Sequence, residues 1–313
     1  MKNIMNWGLF AVLTLIWGSS FILMKEGLTK MTAYQVAAMR IFSSGVVLLP
    51  IGLRQFRHIP KGKTKYIVSS AAIGSFIPAF LFCIAEEHIN SSLAGIVNAL
   101  SPLFAILIGV LFFQMRTTPQ KIGAVLIGFV GLCLLFIQKD GFQMDDQIGY
   151  SLLVVIATIC YGWNGNLLAR HLGSVGSVNI AAIAFPILAI PALAILVFTG
   201  YFQASWADTA FLKASFASVI LGVIGTAIAQ ILFYMLLKRT NVLFASLVTY
   251  TIPFVAIFWG VWYGETITMM QIACLVLILS GVYFANLPTK KQENTPLSIM
   301  PEIEQESMKN QTI

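Results

Sequence analysis

The chain has 313 residues, 58% of them apolar and 10% charged, against roughly 45 to 50% apolar and 25% charged in soluble domains. That balance excludes an ordinary soluble globular protein. The formal charge of +7 does not indicate a nucleic-acid binder, because Lys and Arg lie in short connectors between apolar runs and build no basic face.

Apolar runs of roughly 17 to 25 residues, long enough to cross a hydrocarbon core of about 30 Å as helix, recur along the chain. In order they predict spans at 5–24, 34–53, 66–85, 93–113, 121–138, 149–168, 178–199, 215–237, 242–263 and 269–287. The first run is too long for a signal peptide and no small-x-small cleavage site follows it, so it reads as a span. Cys83, Cys133, Cys160 and Cys274 all fall inside apolar runs without a close-spaced pair, which points to small buried hydrophobes and not to zinc or a redox motif. Beyond Pro288 the chain is polar and lacks the apolar content to build a domain.

Placing the N-terminus inside puts 14 of the 19 Lys and Arg residues on the cytoplasmic side; Lys25, Lys30, Lys139 and Lys213 lie opposite, and Arg40 falls within a span. The positive-inside bias therefore predicts that both termini are cytoplasmic.

At a constant offset of 151, Gly74 to Gln120 matches Gly225 to Gln271 without a gap. Gly74 pairs with Gly225, Phe82 with Phe233, Asn90 with Asn241, Ala94 with Ala245, Pro102 with Pro253, Gly109 with Gly260 and Gln120 with Gln271. Aligned Gly, Asn, Pro and Gln carry more weight than aligned Leu in so apolar a chain. With five spans per half the two copies must enter the membrane in opposite senses, and the charges agree. Glu86, Glu87 and His88 correspond to Leu237, Lys238 and Arg239, and the basic loop from Arg54 to Lys65 corresponds to Gly200 to Leu212, which carries Asp208 and no Lys or Arg. The expected fold class is therefore an all-α integral membrane protein of ten transmembrane helices, arranged as two inverted five-helix repeats. Its parts are 1–145, 146–288 and a polar cytoplasmic tail, 289–313, expected to be disordered. Inverted repeats characterise secondary transporters, whose site lies between the halves near the midplane.

The residues also resemble the drug/metabolite transporter superfamily, specifically its EamA-type members, over roughly 5 to 287. The resemblance is carried by Trp17-Gly18-Ser19-Ser20-Phe21 with Lys25, by Arg40, and by Ala94 to Pro102. In the second half it is carried by Pro253, by Gly264-Glu265 and by the span to Gly281. It implies a plasma-membrane transporter (inner membrane in a Gram-negative cell), often an exporter of amino acids, metabolites or toxic compounds. One departure is that the Gly-Glu step survives as Gly264-Glu265 but reads Phe113-Gln114 in the first half. That argues against a symmetric carboxylate pair carrying protons.

Arg40 lies six residues past Tyr34, about 9 Å deep at 1.5 Å per residue. An ionisable residue at that depth faces the bundle interior or a cavity. It is a candidate ligand for a substrate carboxylate, the alternative being a structural ion pair with Glu86 or Glu87. Trp17, Ser20, Asn98, Tyr161, Asn164, Gln230, Tyr234 and Tyr250 are the remaining candidates for lining an amphipathic cavity, with Tyr161-Gly162 as the counterpart of Trp17-Gly18. Pro102 and Pro253 each remove a helix hydrogen bond and free a carbonyl one turn earlier, near Asn98 and Thr249. Lys25, Glu86, Glu87 and Glu265 form a candidate charge network at the outer side.

No phosphate-binding loop, metal-ligand spacing or hydrolase elbow appears in the sequence, so neither a nucleotide-driven pump nor an enzyme is expected, and no metal or cofactor. The expected partners are the lipid bilayer and a small organic solute, with no nucleic acid and with a homodimer compatible. A flippase-like carrier of an amphipathic molecule and a non-transporting membrane sensor or assembly subunit are the competing readings. Uptake or efflux in vesicles separates the sensor from a carrier.

Overall fold

A computed structural model describes residues 2–55, 62–115, 118–135, 146–240 and 242–287. The expected tail, 289–313, lies outside these. The described residues form helices and short connections, with no strand among them. This follows from composition: in hydrocarbon every backbone N–H and C=O must be satisfied within the segment, which a helix does.

The helical segments group into ten rods among the described residues. They are α1 (Lys2–Leu28), α2 (Ala33–Gln55), α3 (Thr64–Glu86), α4 (Ser91–Phe113), α5 (Pro119–Leu135), α6 (Asp146–His171) and α7 (Ser177–Phe198), then α8, α9 (Val242–Trp262) and α10 (Met269–Asn286). The eighth, α8, is built of Thr209–Gly222, Val223–Ile228 and Ala229–Arg239. Seven are long and apolar enough to cross a membrane; Pro119–Leu134, Val248–Trp262 and Met269–Gly281 are shorter apolar stretches. Leu126, Val130, Ile190, Phe198, Phe216, Phe254, Phe258 and Val276 are exposed, as expected of side chains that face lipid.

Two rods carry a widened π turn, Ala72–Phe76 in α3 and Val223–Ile228 in α8, and the two turns begin 151 residues apart. The local causes differ. In α3, Pro78 follows the turn and cannot donate to the carbonyl one turn back. In α8, the Thr226 hydroxyl donates to Leu221 O, five residues back, at 3.2 Å. In α4 the helix is interrupted at Ala99 and Leu100, just before Pro102. The Asn98 carbonyl there accepts the Ser101 hydroxyl at 2.7 Å, so the group expected to be free at Asn98 is satisfied locally. Pro253 sits inside an uninterrupted α9.

Packing between rods recurs in matched pairs. Helix α2 packs along α7 and α5 along α10, while α1 against α9 is mirrored by α6 against α4, and α1 against α8 by α6 against α3. The glycines show why such close approach is possible. A Cβ on Gly18 would meet Val255, and one on Gly162 would meet Phe104; 18 and 162 differ by 144, and 104 and 255 by 151. A Cβ on Gly74 would meet Asn164, and one on Gly225 would meet Ser20, at the same two offsets. Gly45 faces Ala189, its own counterpart, and Gly131 and Gly281 are each closed by the other's helix. Small residues at these crossings let backbones touch where no hydrophobic driving force pulls helices together.

Candidate substrate site

Arg40 projects from α2 toward the π turn of α8. Its Nε donates to Thr226 Oγ1 at 2.7 Å, and one terminal nitrogen lies 3.9 Å from Met24 Sδ. Thr226 is 5% exposed. The alternative of an ion pair with Glu86 or Glu87 is not what the structure has: the ion pair among the described residues is Lys30–Asp208 at 3.3 Å. The guanidinium thus has one good neutral acceptor, leaving donors for an anionic group. Tyr161 stacks on Phe82 with ring centroids 6.1 Å apart.

A small cavity lies between α3, α6, α7 and α8, lined among others by Ser70, Ser75, Asn164, Ala184, Gln230 and Tyr234. It brings together three of the residues singled out from the sequence, Asn164, Gln230 and Tyr234. Ser70 donates to Asn164 Oδ1 at 2.5 Å, and Gln230 lies beside Tyr234 in the lining. The room is sufficient for about one water molecule, so an organic solute enters only if helices part.

This cavity and the Arg40 site are counterparts under the two offsets. Arg40 corresponds to Ala184, Ser20 to Asn164, Thr226 to Ser75, Leu221 to Ser70 and Cys83 to Tyr234. Where the first site holds a guanidinium hydrogen-bonded to a π-turn hydroxyl, the second has a methyl group and a void.

The acidic residues expected as an outer network do gather at one end of the bundle, but in distinct roles. Glu265 accepts from Ser91 N at 2.9 Å, Ser92 N at 3.0 Å and Ser92 Oγ at 2.7 Å. It thereby caps the N-terminus of α4 from the α9–α10 connection. Glu87 accepts from Ala33 N at 2.7 Å and caps α2. Lys25 Nζ donates to Glu86 O and Ile89 O, both at 3.2 Å, serving the last carbonyl of α3 and one in the connection that follows. At the same end Asp208 caps α8 through Ala210 N at 2.9 Å. That bond, with the Lys30 ammonium, holds its carboxyl below the usual aspartate range.

Of the other candidates, Trp17 packs at a tilt against Phe233, ring centroids 5.2 Å apart, and Ser20 is buried, its hydroxyl on Ile16 O. Asn98 is buried within α4, where Ser101 serves it. Tyr250 packs at the edge of the core. Sequence reasoning missed Ser70, Ser75 and Thr226. The signal was present at offset 151, where Ser75 aligns with Thr226 as a pair of hydroxyls, but neither is as conspicuous as an arginine in a span.

The rods, their lipid-facing apolar surfaces and an interior polar site define a multi-pass membrane protein. The EamA-like transporter family matches residues 6–137 and 148–287, and the chain belongs to that family. It is 22% identical over 284 residues to an uncharacterized transporter of Archaeoglobus fulgidus, covering 89% of this chain and 97% of that one. It is 27% identical over 256 residues to an S-adenosylmethionine/S-adenosylhomocysteine transporter of Chlamydia muridarum, covering 78% and 80%. It is 22% identical over 289 residues to an uncharacterized inner membrane transporter of Escherichia coli, covering 90% of each. A solved crystal structure shares the fold with a TM-score of 0.63 at 19% identity, covering 91% of this chain and 98% of that one.

Proposed function

We propose that the protein is a secondary transporter that exports a small organic solute bearing a carboxylate, by alternating access between two inverted five-helix repeats. Ten spans, both termini cytoplasmic and a plasma-membrane location complete the reading. The observation that carries it is the pair of counterpart sites. Two related sites, one filled by the Arg40–Thr226 contact and the other a small cavity beside Ala184, are what a transporter needs if each half in turn opens around a shared solute.

Arg40 supplies the anion-binding group, with Trp17 and Tyr161 as apolar walls and Asn164, Gln230 and Tyr234 as neutral partners. A zwitterion with an apolar body suits this lining. S-adenosylmethionine, which carries an amino-acid carboxylate, is the first probe to try because relatives are named for it. The test is counterflow of labelled S-adenosylmethionine and of a panel of amino acids and metabolites in vesicles containing the purified protein. Saturable exchange with at least one solute is expected, lost in Arg40→Ala present at equal amount; exchange unaffected by that change removes Arg40 from the site.

A further inference from the structure

Glu86 ends α3 with 0% exposure, and it differs from its acidic neighbours. Glu87 and Glu265 each satisfy helix N-termini, whereas Glu86 has one oxygen on Ser91 Oγ at 3.2 Å and the other without a hydrogen-bond partner among the described residues. Its carboxyl makes no ion pair among the described residues, and Lys25 places its ammonium on the Glu86 and Ile89 carbonyls instead. The charged and titratable groups around it are Lys25 on α1, Arg40 on α2, Glu265 from the α9–α10 connection, and Cys83, Glu87 and His88 on its own segment. His88 is stacked on Tyr150 of α6 at 3.7 Å. A surface pocket lined by Lys25, Leu28, Thr29, Glu86 and Glu87 lies over the site.

An ionised carboxylate sealed from water with a bare oxygen is far costlier than the neutral acid in the same place. Lys25 is within a side-chain movement of relieving it, provided that α1 gives up the two carbonyls that tie it to the end of α3. We propose that Glu86 is a proton-binding site whose occupancy is coupled to closure of this end of the bundle. With the end closed, Glu86 holds a proton and Lys25 holds the Glu86 and Ile89 carbonyls. With the end open, Glu86 is deprotonated and wetted, and Lys25 pairs with it. The proton is taken from or given to water at the overlying pocket. No other group changes its charge, and the absence of an acid at the counterpart Leu237 confines the device to one end. Linkage fixes the sign: the proton is bound only in the closed form, so lowering pH favours closure and raising it favours opening. On the transporter reading, this end is the outer one, and the device makes access from outside depend on external pH.

The proposal rests on that reading for its consequence but not for its test. Infrared difference spectra of the purified protein across pH report neutral carboxylic acids directly. A carbonyl band of a buried acid is expected that disappears on titration to alkaline pH, is missing in Glu86→Gln, and persists in Glu87→Gln and Glu265→Gln. A band unchanged in Glu86→Gln, or no such band, overturns the site. Closure is read by N-ethylmaleimide labelling of Cys83, which is 0% exposed and three residues before Glu86, with Cys133, Cys160 and Cys274 replaced by Ala and His88 by Gln. The ratio of the wild-type rate to that of Glu86→Gln cancels the pH dependence of the thiol itself. It should rise about tenfold per pH unit over the coupled range, the slope of one proton. A flat ratio shows that protonation does not govern closure. Failure of S-adenosylmethionine or any other solute to exchange bears on the transport reading and leaves both measurements interpretable.

Discussion

Replacing Gly45 by Ala isolates the packing that joins the two halves. A Cβ at Gly45 would lie within 3.0 Å of Ala189 Cβ and of the Phe185 backbone, and a backbone cannot swing aside as a side-chain tip can. The helices α2 and α7 must separate instead. Gly8, in α1, has nothing within 4 Å of such an atom and serves as the reference. Both changes gain the same helix propensity, about 1 kcal/mol for Gly to Ala, so the difference between them reports the clash. Overpacking of a close-packed interior costs about 1 to 3 kcal/mol, and Gly45→Ala is expected to be less stable than Gly8→Ala by that amount. Unfolding of both variants in the same mixed micelles, followed by helical circular dichroism against a denaturant series, measures it. Equal stabilities would refute the close crossing of α2 on α7.

Four further outcomes follow from the site. Thr226→Val removes the acceptor of the Arg40 Nε and leaves one donor unpaired, a loss of about 1.5 to 3 kcal/mol for a charged hydrogen bond. It should weaken solute binding or stability on that scale, as read by counterflow and by unfolding. Ala184→Leu fills the void beside Ser75 and Asn164 and should abolish exchange while the protein still unfolds cooperatively; unimpaired exchange would remove that void from the transport path. Glu265→Ala strips three bonds from the start of α4 and should cost about 1 kcal/mol, with Glu265→Gln intermediate. Asp208, held below its ordinary range, contributes stability that is present above the unfolded aspartate range and lost as pH falls through the folded value. Unfolding curves at descending pH should therefore converge for wild type and Asp208→Ala.

How much of this was legible beforehand differs between scales. Each rod lies where an apolar run predicted it, because the bilayer leaves helix as the local solution; the ends moved by several residues where polar caps such as Asp208 start the helix before the apolar run. Arg40 was visible as a charge out of place. Its partner was not: the shared outer-side level suggested Glu86 or Glu87, yet Glu87 caps α2, the Glu86 carboxyl meets Ser91, and the guanidinium reaches a π-turn threonine. Hydropathy carries no information about a turn widened by one residue, and the hydroxyl pair Ser75 and Thr226 has no distinctive composition. Asn164, Gln230 and Tyr234 were named as polar groups in an apolar setting, and the structure gathers them in one cavity. Trp17, Ser20 and Tyr250 do not line that cavity. The capping roles of Glu87 and Glu265 needed the neighbouring helix starts to be placed in space.

In the proposed cycle two counterpart sites exchange roles around one solute. Its most direct test is counterflow of labelled S-adenosylmethionine and of the amino-acid and metabolite panel in vesicles with wild type and with Ala184→Leu. Saturable exchange of a solute in the first and none in the second is the predicted result. No saturable exchange of any solute by the wild type, or equal exchange by both, would contradict it.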